Sequence, residues 1–131
     1  MSRPRGNVKS LPDHRPEIKF SFQYYDLSGK YCISSWSQPQ IKLALERLKD
    51  VNSKTYHEVR REQLRFHEVD WAKTSEKNGF PTAVPADWQA FQFELKGVNL
   101  KKARVFGAFY IDTFYIVWFD LNHLVWPSFV R

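Results

Sequence analysis

Between positions 94 and 123 the chain gathers residues of the types that transfer protons and hold phosphate. Glu94 and Lys96 come first, Lys101, Lys102 and Arg104 follow, and His123 closes the group. From 94 to 104 four cations face one carboxylate, a local net charge of +3. Such a set has the parts needed to cut RNA without a metal. One group removes the proton from the 2′-hydroxyl, cations hold the charge that builds on phosphorus, and a third group protonates the leaving 5′-oxygen. Arg104 suits the second task, because its planar fork matches phosphate oxygens and stays charged. His123 suits the third, because imidazole titrates near neutrality.

Each of these residues also has a purely structural reading. Arg104 at a strand start can pair with Glu94 or Asp120, and Glu94 can balance Lys96. His123 after a strand can be a turn residue or a cap. Lys96, Lys101 and Lys102 can be ordinary solvated loop charges, and Tyr110 and Tyr115 packing residues. Other chemistries find no foothold. One cysteine and four histidines without ligand spacing argue against a metal. His57-Glu58 begins like a zinc-protease helix, but Arg61 stands where the second histidine belongs. No glycine-rich phosphate loop and no nucleophile elbow occur. No cofactor is expected.

The elements that would position the set are legible as alternation and capping. Residues 91–95 alternate with Phe91, Phe93 and Leu95 on one face. Residues 104–110 form a second strand, 111–113 a tight turn, and 114–120 its hairpin partner. That last run is nearly all apolar and predicts burial on both faces. Residues 124–126 would extend it until Pro127. Upstream, residues 18–25 alternate as a half-buried strand with Ile18, Phe20, Phe22 and Tyr24 on one face, and residues 31–33 form a short returning strand. Ser37 with Gln40 makes a capping box for a helix to about Asp50, with Ile41, Ala44, Leu45 and Leu48 inward. Thr55 with Glu58 makes a second box for a helix to about Arg65, whose Arg60, Arg61 and Arg65 form a basic flank. The pair reads as a two-helix hairpin. Residues 66–89 read as a long loop, which is uncommon without a function.

The 131 residues carry 20 Lys and Arg against 14 Asp and Glu, a net charge of +6 with a pI near 9.5. That balance favours nucleic acid or an acidic partner. Residues 1–16 read as a flexible basic arm with Arg3, Arg5, Lys9 and Arg15, and residues 17–131 as a single α+β domain. Cys32 reads as a small buried residue. No apolar run reaches membrane-spanning length, no secretory segment is apparent, and the cytoplasm is the default compartment.

Phe-Glu-Leu-Lys-Gly at 93–97, a short basic link, Lys-Ala-Arg-Val-Phe at 102–106, a turn, and Phe-Tyr-Ile-Val-Trp-Phe-Asp at 114–120 resemble the RelE/ParE toxin superfamily. The order of a strand, two helices and a C-terminal antiparallel sheet resembles it too. The architectural likeness covers about residues 18–126, the motif only 93–123. The resemblance implies a RelE-like α+β fold and the toxin of a toxin–antitoxin pair. It implies a metal-independent endoribonuclease acting on mRNA, with the ribosome and an antitoxin as partners. Arg104 would contact the scissile phosphate, His123 would be the general acid and Glu94 the base. Lys96, Lys101 and Lys102 would face phosphates. The chain departs from the pattern in its long loop, its basic arm, and a tail with Trp126 and Phe129. Two other classes stay open. One is a non-enzymatic interaction protein of the ParE-like or mobile-element kind. The other is a basic nucleic-acid-binding module using the arm and the flank of Arg60, Arg61 and Arg65.

Overall fold

The computed structural model describes residues 17–61, 64–96 and 102–126. The basic arm of 1–16 lies outside them. The architecture is α+β, with a five-stranded sheet and two α-helices. The strands are β1 (Lys19–Ser21), β2 (His67–Glu68), β3 (Gln89–Glu94), β4 (Arg104–Tyr110) and β5 (Thr113–Asp120). The helices are α1 (Gln38–Val51) and α2 (Tyr56–Arg61). The sheet order is β1-β5-β4-β3-β2. β2 to β5 form an antiparallel ladder, and β1 joins its far side parallel to β5.

The inner face of the sheet carries Phe91, Phe93, Val105, Phe114, Ile116 and Phe119. These pack with Ala44, Leu48 and Val51 of α1 and Val59 of α2. Phe93 is fully buried and stacks on Phe66 at 5.2 Å. Gly107 sits on this face because a Cβ there would lie 2.4 Å from the Tyr115 carbonyl and 2.6 Å from the Phe114 ring. The outer face carries Ala90, Phe106, Ala108, Val117 and Trp118, and is covered by Tyr31, Val69, Val84, Val125 and Trp126. β5 is therefore buried on both sides, as its apolar run predicts.

The inward stripe of α1 is Ala44, Leu48 and Val51, while Leu45 is 56% exposed. Leu45 lies about 100° around the helix from Ala44 and 120° from Val51, past Leu48 at the edge of the buried stripe. Both capping boxes form. Ser37 Oγ accepts from Gln40 N–H and Gln40 Oε1 from Ser37 N–H. Thr55 and Glu58 repeat the exchange at 2.8 and 3.1 Å.

Several expected elements are shorter than their sequence pattern suggests, two of them where side-chain oxygens capture the backbone. β1 ends at Ser21, whose hydroxyl accepts from Gln23 N–H; Tyr25 N–H then bonds to Phe22 O, and Phe22 points to solvent. Residues 31–33 form no strand but lead into a 3-10 turn at Ile33–Ser35, with Cys32 half-buried beside it. Among the described residues α2 spans Tyr56–Arg61, and Leu64 and Arg65 lie outside it, Arg65 with a positive φ of 55°. The stretch 66–89 contains β2 and a 3-10 turn at Trp71–Lys73 capped by Asp70. Residues 124–126 do not prolong β5. The Asp120 carboxylate accepts from Leu124 and Val125 N–H at 3.0 and 2.7 Å and bends the chain away.

Candidate functional site

Three adjacent strands each place one ionisable residue at the same end of the outer face. Glu94 of β3 lies opposite Arg104 of β4, which lies opposite Asp120 of β5. Directly opposed residues share a face. Asp120 reaches that face only because β5 is irregular. Phe106 pairs with Trp118 while Gly107 pairs with Ile116, so Val117 is an extra residue in β5. Without this bulge the alternation that turns Phe114 and Ile116 inward would carry Asp120 into the helix-packed core. The bulge is held by the covering loop, since Asp26 N–H bonds to Val117 O and Phe119 N–H to Tyr31 O.

The row is buried. Glu94 is 7% exposed, Arg104 6% and Asp120 1%. Arg104 Nη2 lies 3.5 Å from Glu94 Oε2, and its Nη1 donates to Ala103 O at 3.2 Å. Arg65 approaches from the solvent side, with Nε 3.0 Å from the same Glu94 oxygen. Burial pushes the Asp120 carboxyl above its ordinary range. The N–H groups of Leu124 and Val125, and the Arg104 charge, pull it back down.

Next to the row stands a pair that the sequence did not single out. Gln92 is two residues before Glu94, faces the same way, and is 1% exposed. Its Nε2 lies 3.0 Å from Nε2 of half-buried His67 in β2. His67 Nδ1 lies 2.9 Å from the Glu68 carbonyl. A carbonyl only accepts, so Nδ1 donates. Nε2 of the neutral ring is then free to accept from the amide. Gln92 Oε1 is left buried without a hydrogen-bond partner. The ring also meets Trp126 edge to face at 5.3 Å. His67 stands with Glu68 as a polar pair between apolar Phe66 and Val69, without the period-2 alternation that would mark a strand.

The residues named from sequence are thus partly gathered and partly dispersed. Glu94, Arg104 and Arg65 come together, with Asp120 added. His123 stands in the turn that Asp120 anchors, at the same end of the sheet, with a positive φ of 61° and a half-buried side chain. Lys102 is exposed in the turn before β4. Lys96 is exposed, has a φ of 55°, and lines a cleft of about 190 Å³ with Leu43, Glu46 and Arg47. Lys101 and the side chains of Arg60 and Arg61 lie outside the described residues. Among the described residues no cluster of three or more His, Cys, Asp or Glu could hold a metal, and no helix is long and apolar enough to cross a membrane. Compared with family models, curated proteins and solved structures, the chain finds no match.

Proposed function

We propose that this chain is a RelE-like toxin that cleaves mRNA without a metal. The observation that carries the reading is an arginine on the middle strand of a helix-backed antiparallel sheet. It sits at the sheet end where Arg65, Lys102, His67 and His123 also gather. In this reading the Arg104 guanidinium holds the charge that develops on phosphorus, with Glu94 drawing off the attacking proton. His123 returns a proton to the leaving oxygen. RNA is the substrate, and an antitoxin protein is the regulating partner. Expression should arrest growth and yield mapped cuts in mRNA. Arg104→Lys keeps the buried charge but loses the fork, and should lower cleavage about 100-fold, as for loss of one oxyanion donor. A folded wild-type chain that cuts neither free nor ribosome-bound mRNA would end this reading.

A second reading follows from the burial of the row. Arg104 is 6% exposed and faces two carboxylates, an arrangement that also suits a structural pin. On that account the chain is a non-catalytic relative that acts through protein contact. Arg104→Lys would then change stability and leave no cleavage to lose.

A further inference from the structure

The segment 71–90 builds a pocket apart from the Arg104 row. It is a cleft of about 420 Å³ walled by Trp71, Phe80, Pro85 and Trp88, with Lys77 and Asn78 at its rim. That size lies within the roughly 300–1,000 Å³ of small-molecule sites. Its aromatic walls are braced from behind. Trp71 meets Phe80 edge to face at 4.8 Å and Trp118 at 6.1 Å. Trp88 stacks on Tyr110 at 4.7 Å and 13° and touches Tyr115 at 4.8 Å. Gly79, at φ 79°, turns the chain beside the Trp71 ring, where a Cβ would lie 3.6 Å from the indole. Both indoles are only partly buried.

The rim carries charge of one sign. Lys77 Nζ donates to the Ala72 and Thr74 carbonyls at 2.9 and 3.3 Å. Those bonds fix the ammonium in place, use two of its three donors, and leave its charge uncompensated. Of the neighbouring acids, Asp70 pairs with Lys73 and Glu76 with Lys30 and Tyr31, while Asp87 is exposed between Ala86 and Trp88. Asn78 is exposed beside the pocket and offers both a donor and an acceptor. Flat apolar walls, a fixed cation and one amide match one kind of occupant, a planar base bearing a phosphate.

We infer that this pocket binds one nucleotide unit of single-stranded RNA, its base against Trp71 and Trp88 and its phosphate at Lys77. The choice of an RNA strand over a free nucleotide rests on the proposed function; the base-and-phosphate chemistry does not. A long loop that cuts into the sheet's cover then has a task. It holds a nucleotide several units along the strand from any phosphate at the Arg104 row, because Trp88 stacks on Tyr110 at the other end of β4, about 20 Å from Arg104.

The test uses the full chain and a 2′-O-methyl oligonucleotide, whose blocked hydroxyl prevents cleavage, with adenosine monophosphate as the second probe. Indole N–H signals are followed by NMR and assigned with Trp71→Phe. Both probes should shift the Trp71 and Trp88 signals, and the strand should bind more tightly. Lys77→Gln should weaken strand binding about fivefold and lower the slope of log K against log salt by about 0.7, one phosphate's share on a single strand. Lys77→Arg should retain the slope. Absence of binding, unmoved indole signals, or an unchanged slope in Lys77→Gln overturns the inference. So does binding of only an apolar peptide. Cleavage assayed in parallel reports separately. A chain that binds the oligonucleotide this way but never cuts mRNA loses its nuclease assignment and keeps its pocket.

Discussion

Arg104→Met removes the one cation between two buried carboxylates. The side chain stays long and apolar, so the loss is electrostatic rather than a cavity. Breaking a buried pair leaves uncompensated charge and costs about 3–5 kcal/mol. Glu94 keeps Arg65, whereas Asp120, 1% exposed, keeps the backbone donors of Leu124 and Val125. The damage therefore falls mainly on Asp120, and that gives it a pH dependence. The folded Asp120 carboxyl already sits above its unfolded value, because burial raises it more than its partners lower it. Between the two values the native state binds more protons than the unfolded chain, so stability falls as pH rises through that interval. Arg104 is one of the groups holding the Asp120 carboxyl down, and removing it widens the interval. Urea denaturation of wild type and variant from pH 4.5 to 8 should show the gap near its full size at pH 8. The gap should shrink steadily on acidification as Asp120 takes up a proton. At neutral pH the melting temperature should drop by roughly 12–20 °C, taking about 4 °C per kcal/mol for a domain of this size. A loss under about 1 kcal/mol, or a gap independent of pH, would refute the account of Arg104 as the counter-ion of Asp120.

Three further outcomes follow from local geometry. Gln92→Leu removes a buried oxygen without a partner but also the amide that donates to His67, so the two effects should offset and leave stability within about 1 kcal/mol of wild type in the same denaturation assay. Gly107→Ala places a methyl against the Tyr115 carbonyl and the Phe114 ring, and should lose about 1–3 kcal/mol with a shortened half-life of the folded state. Ser37→Ala removes one half of the α1 capping box and should lose about 1 kcal/mol, visible as a lower urea midpoint with unchanged slope.

Local signals carried well where the determinant is local. The Ser37 and Thr55 caps, the start and end of β4, and the two-sided burial of β5 all follow from neighbouring residues. Features set by distant partners were not legible. The bulge at Val117 is fixed by residues 26 and 31 of the covering loop, so an unbroken apolar run gave no hint that its phase reverses. Asp120 read as the end of a strand, because its two amide partners lie in a turn that its own carboxylate creates. Arg104, Glu94 and Asp120 were each named, and the pairing of Arg104 with either acid was in view. Their common row needed the register of three strands. His67 and the 71–90 pocket were hidden in a stretch whose order comes from aromatic contacts with β4 and β5 rather than from its own pattern.

The position of β1 has a consequence for when this protein can exist as a folded object. β5 is the strand between β1 and β4, and it is the last one in sequence. Lys19 meets Asp112 across 93 residues of chain. At synthesis rates of about 5–20 residues per second, the early strand waits several seconds for its only sheet neighbour. Meanwhile the capped helices can form, but the hydrophobic faces of α1 and β1 have nothing to close against. Pairings this remote are slow to form even in the finished chain. The nascent protein is therefore exposed to capture until its final hairpin emerges, and assembly of the Arg104 row marks its passage to the native state.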